Sequence, residues 1–355
     1  MRQRWELTNS STGSTGYIGG DALHVIATTY PDLEITALAR NSDKGAKIAS
    51  QYPKTKLVYG DLDSTDLLTA EAAKADIIVH TANADHPVAA NALVAGLAQR
   101  TTPGYLIHTS GTGSLGTPDH LRKTFGVHVE KKYDDWEGIA EVTNLPADYT
   151  HVNVDKIILS ASEKNPGKIF TAIVCPPCIY GPGRGPDNQR SIQGPDMTKA
   201  VLKRGKGFQV GEGKNRWTEV HVQDLSEVFL GLVTSAMQPE GGKATWNDKG
   251  FYFAENGEFV WGNIAKKIAE IAADKKLIET AELDSLDEKE ADEFRAAGAY
   301  LWGTNSRCKA LRANKLLGWT PKQKSFVDTL SELVDEEAKA LGLVKGHAVK
   351  AAGDA

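Results

Sequence analysis

Short apolar runs alternate with segments of helical periodicity along the first half of the chain. The runs are short and rich in β-branched residues, and the segments between them repeat apolar positions every three or four residues. Such alternation is typical of βαβ units that build a parallel sheet. The pattern predicts strands at 33–39, 56–59, 76–81, 105–109 and 169–175, and helices near 19–29, 43–51, 65–74, 87–100 and 152–164.

The second half of the chain has a less regular pattern. Residues 175–217 are rich in Gly, Pro and polar side chains, which is typical of a loop over a site. No hinge-like linker separates the halves, so we expect two lobes that share an interface. Beyond the loop the pattern predicts strands at 219–222 and 251–254, and helices at 224–237, 258–273 and 326–341.

The first strand of the sheet is expected to be central, yet its sequence is polar. A central parallel strand is buried on both faces and is usually an apolar run. Residues 4–11 offer only Trp5 and Leu7 as large apolar side chains, and burying Glu6 and Asn9 is costly unless they are hydrogen-bonded. Either this lobe tolerates a polar central strand, or the natural chain begins differently.

A glycine-rich segment, TGSTGYIGG at 12–20, precedes the first predicted helix. Gly13, Gly16 and Gly19 have the spacing GxxGxxG, which permits a tight strand-to-helix turn. Backbone N–H groups at the start of such a helix can hold a pyrophosphate. In this βαβ context the spacing predicts a dinucleotide site.

Residues at the ends of the next two strands predict which dinucleotide is bound. Arg40 follows the second strand and Lys44 lies close behind it, with no acidic residue beside Arg40. An acidic residue at this place binds the ribose hydroxyl of NAD, whereas Arg accommodates the 2′-phosphate of NADP, so NADP is expected rather than NAD. A solvated loop arginine is the alternative. Asp61 is placed either to approach the adenine or to cap a helix.

Motifs spread over nearly the whole chain carry a family resemblance. They are TGSTGYIGG, YGDLD at 59–63, VHTANA at 79–84, YLIHTSG at 105–111, PPCIYGPG at 176–183, VHVQDL at 220–225 and LGWTP at 317–321. In these motifs the chain resembles the extended short-chain dehydrogenase/reductases of the NAD-dependent epimerase/dehydratase family. The resemblance implies an α/β fold with a doubly wound parallel Rossmann sheet and a smaller mixed α/β substrate lobe.

The resemblance also implies how the chain is divided and which residues meet the cofactor. Residues 1–175, with part of 219–254, are expected to form the NADP-binding domain. Residues 176–218 and 255–345 are expected to form the substrate lobe, and 346–355 a flexible tail. The cofactor-binding residues implied are Gly13, Thr15, Gly16, Tyr17, Ile18, Gly19, Arg40, Lys44, Asp61, Leu62, Thr81, Ala82, Asn83, Lys156, Pro176 and Cys178.

The catalytic pattern of the family is altered in this chain. The family uses Tyr-x-x-x-Lys on a helix, in which Lys lowers the pKa of Tyr and Tyr passes a proton to the substrate oxygen. Lys156 fits the Lys position, but Val152 stands where Tyr is expected. Gly111 stands where the family has a Ser or Thr, with Ser110 and Thr112 on either side.

Several side chains are candidates to replace the missing proton donor. Histidine is favoured because it changes charge near neutral pH. His151 is the first choice and His86 the second, although a single His near a helix start is more often structural. Thr112 and Lys156 complete the expected catalytic set. Tyr149, Asn153 and Tyr180 are further candidates.

Composition and charge exclude several classes of protein. The 355 residues include 41 basic and 46 acidic side chains, a formal charge of −5, so a nucleic-acid partner is not expected. No apolar run of about 18 residues or signal peptide predicts a membrane or secreted location. Three cysteines suit a reducing compartment, which makes the cytoplasm the expected location. Cys175 and Cys178 lack further ligands for zinc, so no metal is expected.

These observations favour an NADP-dependent oxidoreductase that acts on a small carbonyl compound or alcohol. The alternatives are an epimerase or dehydratase of the same family, and a non-catalytic dinucleotide sensor that has lost the Tyr. A homodimer could form through the helices at 87–98 and 152–162, although both patterns also suit packing on the sheet. The acidic segment 282–293 is expected to be one face of a solvated helix.

Overall fold

The protein is described by a computed structural model that covers residues 8–344, with side chains from Ser11 onward. Trp5, Leu7 and the tail predicted at 346–355 lie outside the described residues. The first half contains β1 (Thr8–Thr12), α1 (Tyr17–Thr29), β2 (Glu34–Ala39), α2 (Ser42–Gln51), β3 (Lys56–Tyr59), α3 (Thr65–Ala72), β4 (Ile77–His80), α4 (Pro87–Ala98), β5 (Gly104–Thr109), α5 (Gly113–Arg122), β6 (Tyr133–Asp134), α6 (Ile139–Thr143), α7 (Val152–Lys164) and β7 (Ile169–Cys175).

The second half is more mixed, as its irregular sequence pattern predicts. It contains β8 (Cys178–Tyr180), α8 (Gln193–Arg204), β9 (Gly207–Val210), β10 (Arg216–His221), α9 (Val222–Ala236), β11 (Phe251–Phe253), β12 (Glu258–Val260), α10 (Trp261–Asp274), β13 (Leu283–Leu286), α11 (Glu288–Phe294), α12 (Gly298–Gly303), β14 (Cys308–Lys309), α13 (Arg312–Leu317) and α14 (Phe326–Ala340). Short 3₁₀ turns lie at Pro239–Gly241 and Asn247–Lys249.

The main sheet has seven parallel strands in the order β11-β7-β5-β4-β1-β2-β3. Helix α4 packs against both α3 and α7, and α1 packs against α9. This is the doubly wound Rossmann-type sheet that the sequence predicts, and β11 from the second half completes it. The strand order changes direction between β1 and β4. In folds of this kind, ligands bind at that point, beyond the carboxyl ends of the strands.

The central strand β1 is polar, as its sequence Thr-Asn-Ser-Ser-Thr requires. It lies between β2 and β4, with Ser11 opposite Ala37 and Val79. Ser11 accepts a hydrogen bond from the Ser14 hydroxyl at 3.0 Å, and the Thr12 hydroxyl forms a hydrogen bond with Nδ1 of His80 in β4. The lobe therefore holds a polar central strand whose described side chains are hydrogen-bonded, which removes most of the cost of burying them.

Three predictions about the second half are wrong in detail. The segment 175–217 is not one loop, because it contains β8, the twelve-residue helix α8 and β9. The acidic segment 282–293 is not one helix, because β13 pairs in parallel with β9 before α11 begins. Asp287 starts α11 with a capping box that it shares with Glu290. The helix predicted at 258–273 begins only at Trp261, since β12 pairs with β10.

Two apolar cores support these layers. One fills both faces of the main sheet, and the other lies among α8, α10, α12 and α14. Trp261, Trp302, Phe208 and Phe326 are fully buried in the second core. Each fully buried large side chain contributes about 1.5–3 kcal/mol, so the second lobe has a core of its own that can support the edge of the site.

Candidate active site

Two positions fit only glycine, one in the loop between β1 and α1 and one in the first turn of α1. Gly13 has φ +88°, and a Cβ there would lie 2.7 Å from the backbone of Thr81. A Cβ on Gly19 would lie 2.2 Å from the Thr81 hydroxyl and 2.4 Å from the Gly13 carbonyl. The Thr81 hydroxyl donates to the Thr12 carbonyl at 2.6 Å, which holds the ends of β1 and β4 together. The bare backbone therefore forms the wall of a cleft at the start of α1.

A cavity of about 590 Å³ opens beside this loop. Most of the residues predicted to bind the cofactor line it together, because they follow the ends of neighbouring parallel strands. Leu38, Asp63 and Asn188 were not predicted. The lining residues are Gly13, Thr15, Gly16, Leu38, Arg40, Lys44, Asp61, Leu62, Asp63, Thr81, Ala82, Asn83, His86 and Asn188.

Charged side chains surround the end of the cavity beside β2. Arg40 is exposed and forms no hydrogen bond or ion pair with the residues that the structure describes. Lys44 forms an ion pair with Asp187. The Asp61 carboxylate accepts hydrogen bonds from the Ser64 hydroxyl at 2.8 Å and the Asp63 N–H at 3.1 Å, and the Ser64 bond holds the pKa of Asp61 below its usual range. Asp61 thus lines the cavity and also orders the turn before α3.

The remaining predicted cofactor residues are not among those that line this cavity. The Tyr17 hydroxyl donates to the Gly181 carbonyl, and burial raises the pKa of Tyr17. Ile18 packs against the first core. The Pro176 carbonyl accepts a hydrogen bond from the Thr112 N–H at 3.0 Å. Cys178 is fully buried within β8, and burial raises the pKa of its thiol. A direct contact of these side chains with a cofactor stays a prediction.

His151 lies against the end of β5. Its backbone is left-handed, with φ +71°, immediately before α7. A Cβ built on Gly111 would lie 3.0 Å from His151 Nε2, so glycine leaves room for the imidazole where the family has a hydroxyl. His151 Nδ1 lies 2.8 Å from Asp85 Oδ1. Because a carboxylate only accepts hydrogen bonds, Nδ1 carries a proton and Nε2 faces the end of the strand.

The hydrogen bond from His151 also affects Asp85. That bond is the largest cause that holds the pKa of Asp85 below its usual range, so the carboxylate stays ionised beside the imidazole. The strained backbone at His151 is of the kind that persists where the surrounding structure fixes it, often at functional sites. An oriented imidazole beside an ionised carboxylate can take up or release a proton at Nε2.

A row of buried polar side chains lies behind this pair. The Ser110 hydroxyl donates to Asp155 at 2.8 Å, and His108 Nε2 lies 3.8 Å from the other oxygen of Asp155. The rings of His108 and His80 stack at 5.1 Å, and His80 meets the Thr12 hydroxyl. Burial raises the pKa of Asp155 to about 7 and lowers that of His80 to about 4. These buried side chains therefore carry little charge near neutral pH.

An acidic residue of α7, and not its lysine, faces the end of β5. Asp155 is buried there, whereas Lys156 is exposed and has no polar partner within the described part of the chain. Val152 is 3% exposed and packs in the core. His151 and Asp155 are four residues apart, and both lie against the residues that follow β5. A contact between Lys156 and a cofactor stays a prediction.

Two other candidate catalytic residues have structural partners. Thr112 is 1% exposed, and its hydroxyl accepts a hydrogen bond from the Ser306 hydroxyl at 2.6 Å. This bond and its burial give Thr112 a structural role, and its catalytic role stays a prediction. His86 lines the cavity, but its Nδ1 accepts from the Ala89 N–H at 3.1 Å and caps α4. Its Nε2 lies 3.3 Å from Asp63.

Besides the unpredicted cavity residues, the sequence did not identify three residues near His151 and α5. Asp85 stood between two named candidates, Asn83 and His86, and an acid so close to a proposed relay was a usable signal. Asp155 was not considered because the family pattern points to Val152 and Lys156 on α7. Tyr300 comes from the second lobe, where its hydroxyl donates to the Gly113 carbonyl at 2.7 Å, and no local pattern predicts that contact.

Residues 8–344 contain no group of three or more His, Cys, Asp or Glu side chains that could hold a metal ion. None of the helices in this range is long and apolar enough to cross a bilayer.

Comparisons with known proteins identify the family. No protein-family model matches the sequence. The chain is 37% identical over 341 residues to the oxidase ucsJ of Acremonium sp., covering 94% of this chain and 98% of that protein. The crystal structure of the PbgP3 protein from Burkholderia pseudomallei aligns with a TM-score of 0.66 at 16% identity, covering 96% of this chain and 100% of that one. The dTDP-glucose 4,6-dehydratase of Bacillus anthracis, solved in complex with NAD, aligns with a TM-score of 0.63 at 15% identity, covering 94% and 97%. The chain belongs to one family with the oxidase ucsJ, and it shares its fold with PbgP3 and the dTDP-glucose 4,6-dehydratase.

Proposed function

We propose that this protein is an NADP-dependent oxidoreductase that acts on a small carbonyl compound or the matching alcohol, with His151 as the proton-transferring residue. The observation that carries the proposal is the pair His151–Asp85 against Gly111, where the family pattern has hydroxyl groups. The relative at 37% identity is named an oxidase, which supports redox chemistry.

The cavity beside the glycine loop fits a nicotinamide dinucleotide. Gly13 and Gly16 line it without side chains, and added Cβ atoms at Gly13 and Gly19 would collide with neighbouring residues, so glycine keeps the tight turn that leads into α1. The first turn of α1 has no acidic residue to repel a pyrophosphate at the helix N-terminus. The volume of about 590 Å³ lies within the usual range for small-molecule sites. When bound, the nicotinamide supplies or accepts the hydride.

The charges beside β2 support NADP over NAD. Arg40 is exposed at the cavity and forms no ion pair within the described part of the chain, so its guanidinium is available to a phosphate. Lys44 lies in the same wall and adds a second positive charge. One acid of the wall, Asp61, accepts hydrogen bonds from Ser64 and from the turn before α3.

His151 supplies the proton chemistry in this proposal. In the reducing direction, the protonated imidazole gives its Nε2 proton to the carbonyl oxygen while hydride reaches the carbon. One C–H and one O–H bond form in the product, while the carbonyl π bond, the imidazole Nε2–H bond and the C–H bond that supplies the hydride break. Asp85 holds the Nδ1 proton and stabilises the imidazolium before transfer. In the oxidising direction, neutral Nε2 accepts the proton of the alcohol.

A panel assay tests the proposal and its alternatives. The wild type, His151→Ala, His86→Ala and Val152→Tyr are each incubated with NADPH and a panel of aldehydes and ketones, and NADPH consumption is followed. We expect turnover by the wild type, loss in His151→Ala by about 10²–10⁴-fold, and little change in His86→Ala. Lys156→Ala, measured by NADPH titration, tests the lysine that the family pattern assigns to the cofactor.

The outcomes separate the competing functions. NADPH binding with no turnover by any variant favours a dinucleotide sensor, the reading that the loss of Tyr and Ser suggests. Turnover that survives in His151→Ala and is lost in His86→Ala contradicts the role given to His151. Conversion of a sugar nucleotide with no net consumption of NADPH favours an epimerase or dehydratase.

A further inference from the structure

A segment of the second lobe crosses the rim of the dinucleotide cavity. Residues 181–190, here called the strap, follow β8 and lie against α1 and α2. Asp21 of α1 is fully buried and accepts three hydrogen bonds from Arg184 of the strap, from its backbone N–H at 2.8 Å and from Nε and Nη2 at 3.1 and 2.6 Å. This buried ion pair fixes one end of the strap on the helix that begins at the glycine loop.

Two further contacts keep the strap close to the cavity. A Cβ on Gly185 would lie 2.5 Å from Gly20 Cα, so the two backbones touch. The Asn188 N–H donates to the Thr15 carbonyl at 3.2 Å, and both residues line the cavity. The strap therefore runs along the cavity wall between its anchor at Arg184 and the glycine loop.

Asp187 lies between these fixed points and holds two lysines of α2. Its carboxylate pairs with Lys44 and Lys47, and its side chain is only 11% exposed. The bond from Lys44 is the largest cause that holds the pKa of Asp187 below its usual range, so the carboxylate is ionised. Lys44 lines the cavity and Lys47 does not. The lysine best placed for a 2′-phosphate is thus already paired with an internal anion.

Building on the proposed function, we propose that Asp187 is a specificity-determining residue that competes with the 2′-phosphate of NADP for Lys44. A ligand with a 2′-phosphate must draw Lys44 away from Asp187 and approach that carboxylate, whereas NAD leaves the pair intact. Like charges at short range disfavour each other, and Lys44 cannot serve both anions at full strength. Asp187 thereby lowers the affinity for NADP relative to NAD below the ratio that Arg40 and Lys44 alone would give.

The strap should keep its place when Asp187 is neutralised. Arg184, Gly185 and Asn188 anchor it through contacts that do not involve the lysines. An asparagine has nearly the same shape as aspartate and can still accept a hydrogen bond from Lys44. Asp187→Asn therefore changes the charge beside the cavity with little change of structure.

Binding titrations of four ligands test the proposal without any turnover. The ligands are NADPH, NADH, adenosine 2′,5′-bisphosphate and 5′-AMP, and the proteins are wild type, Asp187→Asn, Lys44→Gln and the double variant. Glu34→Gln is the matched control, because Glu34 is an exposed carboxylate paired with Lys56 at the edge of the same sheet. Thermal unfolding of each variant reports whether the fold is kept.

We expect Asp187→Asn to bind NADPH and adenosine 2′,5′-bisphosphate about tenfold more tightly, with NADH and 5′-AMP changed less than about twofold. The gain should vanish in the double variant, because it depends on a free Lys44. Equally weaker binding of all four ligands would give Asp187 a structural role only and would overturn the proposal. An unchanged ratio of NADPH to NADH affinity would also overturn it, while leaving the proposed function intact. If the wild type binds no dinucleotide, the proposed function fails and this inference fails with it.

Discussion

Replacement of Asp85 by asparagine tests the role of the His151–Asp85 pair. The variant keeps the side-chain shape but removes the charge that lies 2.8 Å from His151 Nδ1. Hydrogen bonds to charged groups contribute about 1.5–3 kcal/mol, and we take the lower end because the Asp85 side chain is 51% exposed and screened by water. A loss of about 1.5 kcal/mol in transition-state stabilisation lowers kcat about tenfold.

The assay compares kcat at saturating NADPH for the wild type, Asp85→Asn, His151→Ala and the double variant. Because Asp85 acts through His151, the double variant should be no slower than His151→Ala alone. Asp148→Asn is the control, since Asp148 is an exposed carboxylate in the segment just before His151. If Asp85→Asn keeps wild-type kcat, or if the two losses simply add, the pair does not work as a unit and the reasoning is refuted.

Three further predictions concern stability and cofactor choice. Burial raises the pKa of Asp155 to about 7, so the folded state binds this proton more tightly than the unfolded chain, and stability falls as pH rises from the unfolded value toward 7. Asp155→Asn should therefore raise the free energy of unfolding more at pH ~8 than at pH ~5, by up to about 3 kcal/mol, because about two pKa units separate pH ~5 from the folded pKa. Glu163→Gln on the exposed side of α7 should show no such difference, and an equal change in Asp155→Asn at both pH values would contradict this. Gly19→Ala should abolish NADPH binding and lower Tm, because its Cβ would overlap the Gly13 carbonyl, and unchanged titrations would show that the loop can move. Arg40→Asp should weaken NADPH binding by about tenfold or more relative to NADH, and an unchanged ratio would remove Arg40 from the site.

Local rules predict most of the main sheet. Strands such as β5 and β7 are short apolar runs that alternate with amphipathic helices, so the sequence predicts where they lie along the chain and that they pair in parallel. The polar β1 has no such pattern, and only its hydrogen bonds to neighbouring residues make its central place tolerable. Strand β13 could not be predicted either, because its pairing with β9 is a long-range contact inside an acidic segment.

The same division holds for the candidate site. Gly13, Arg40 and Thr81 follow strand ends, and parallel strands bring such residues to one edge, so their meeting in one cavity could be predicted. The hydrogen bond of Asp155 with Ser110 could not be predicted, because it joins residues 45 positions apart on α7 and after β5. Contacts from the second lobe, such as that of Asp187 with α2, join residues more than a hundred positions apart.

A crystal structure of the protein with NADP and a carbonyl ligand tests the central claim most directly. The distances that matter are those from the ligand oxygen to every side-chain donor around Gly111. The account predicts His151 Nε2 within about 3.2 Å of that oxygen, with Asp85 still bonded to Nδ1. A ligand oxygen held by another donor, with His151 turned away from it, would contradict the account.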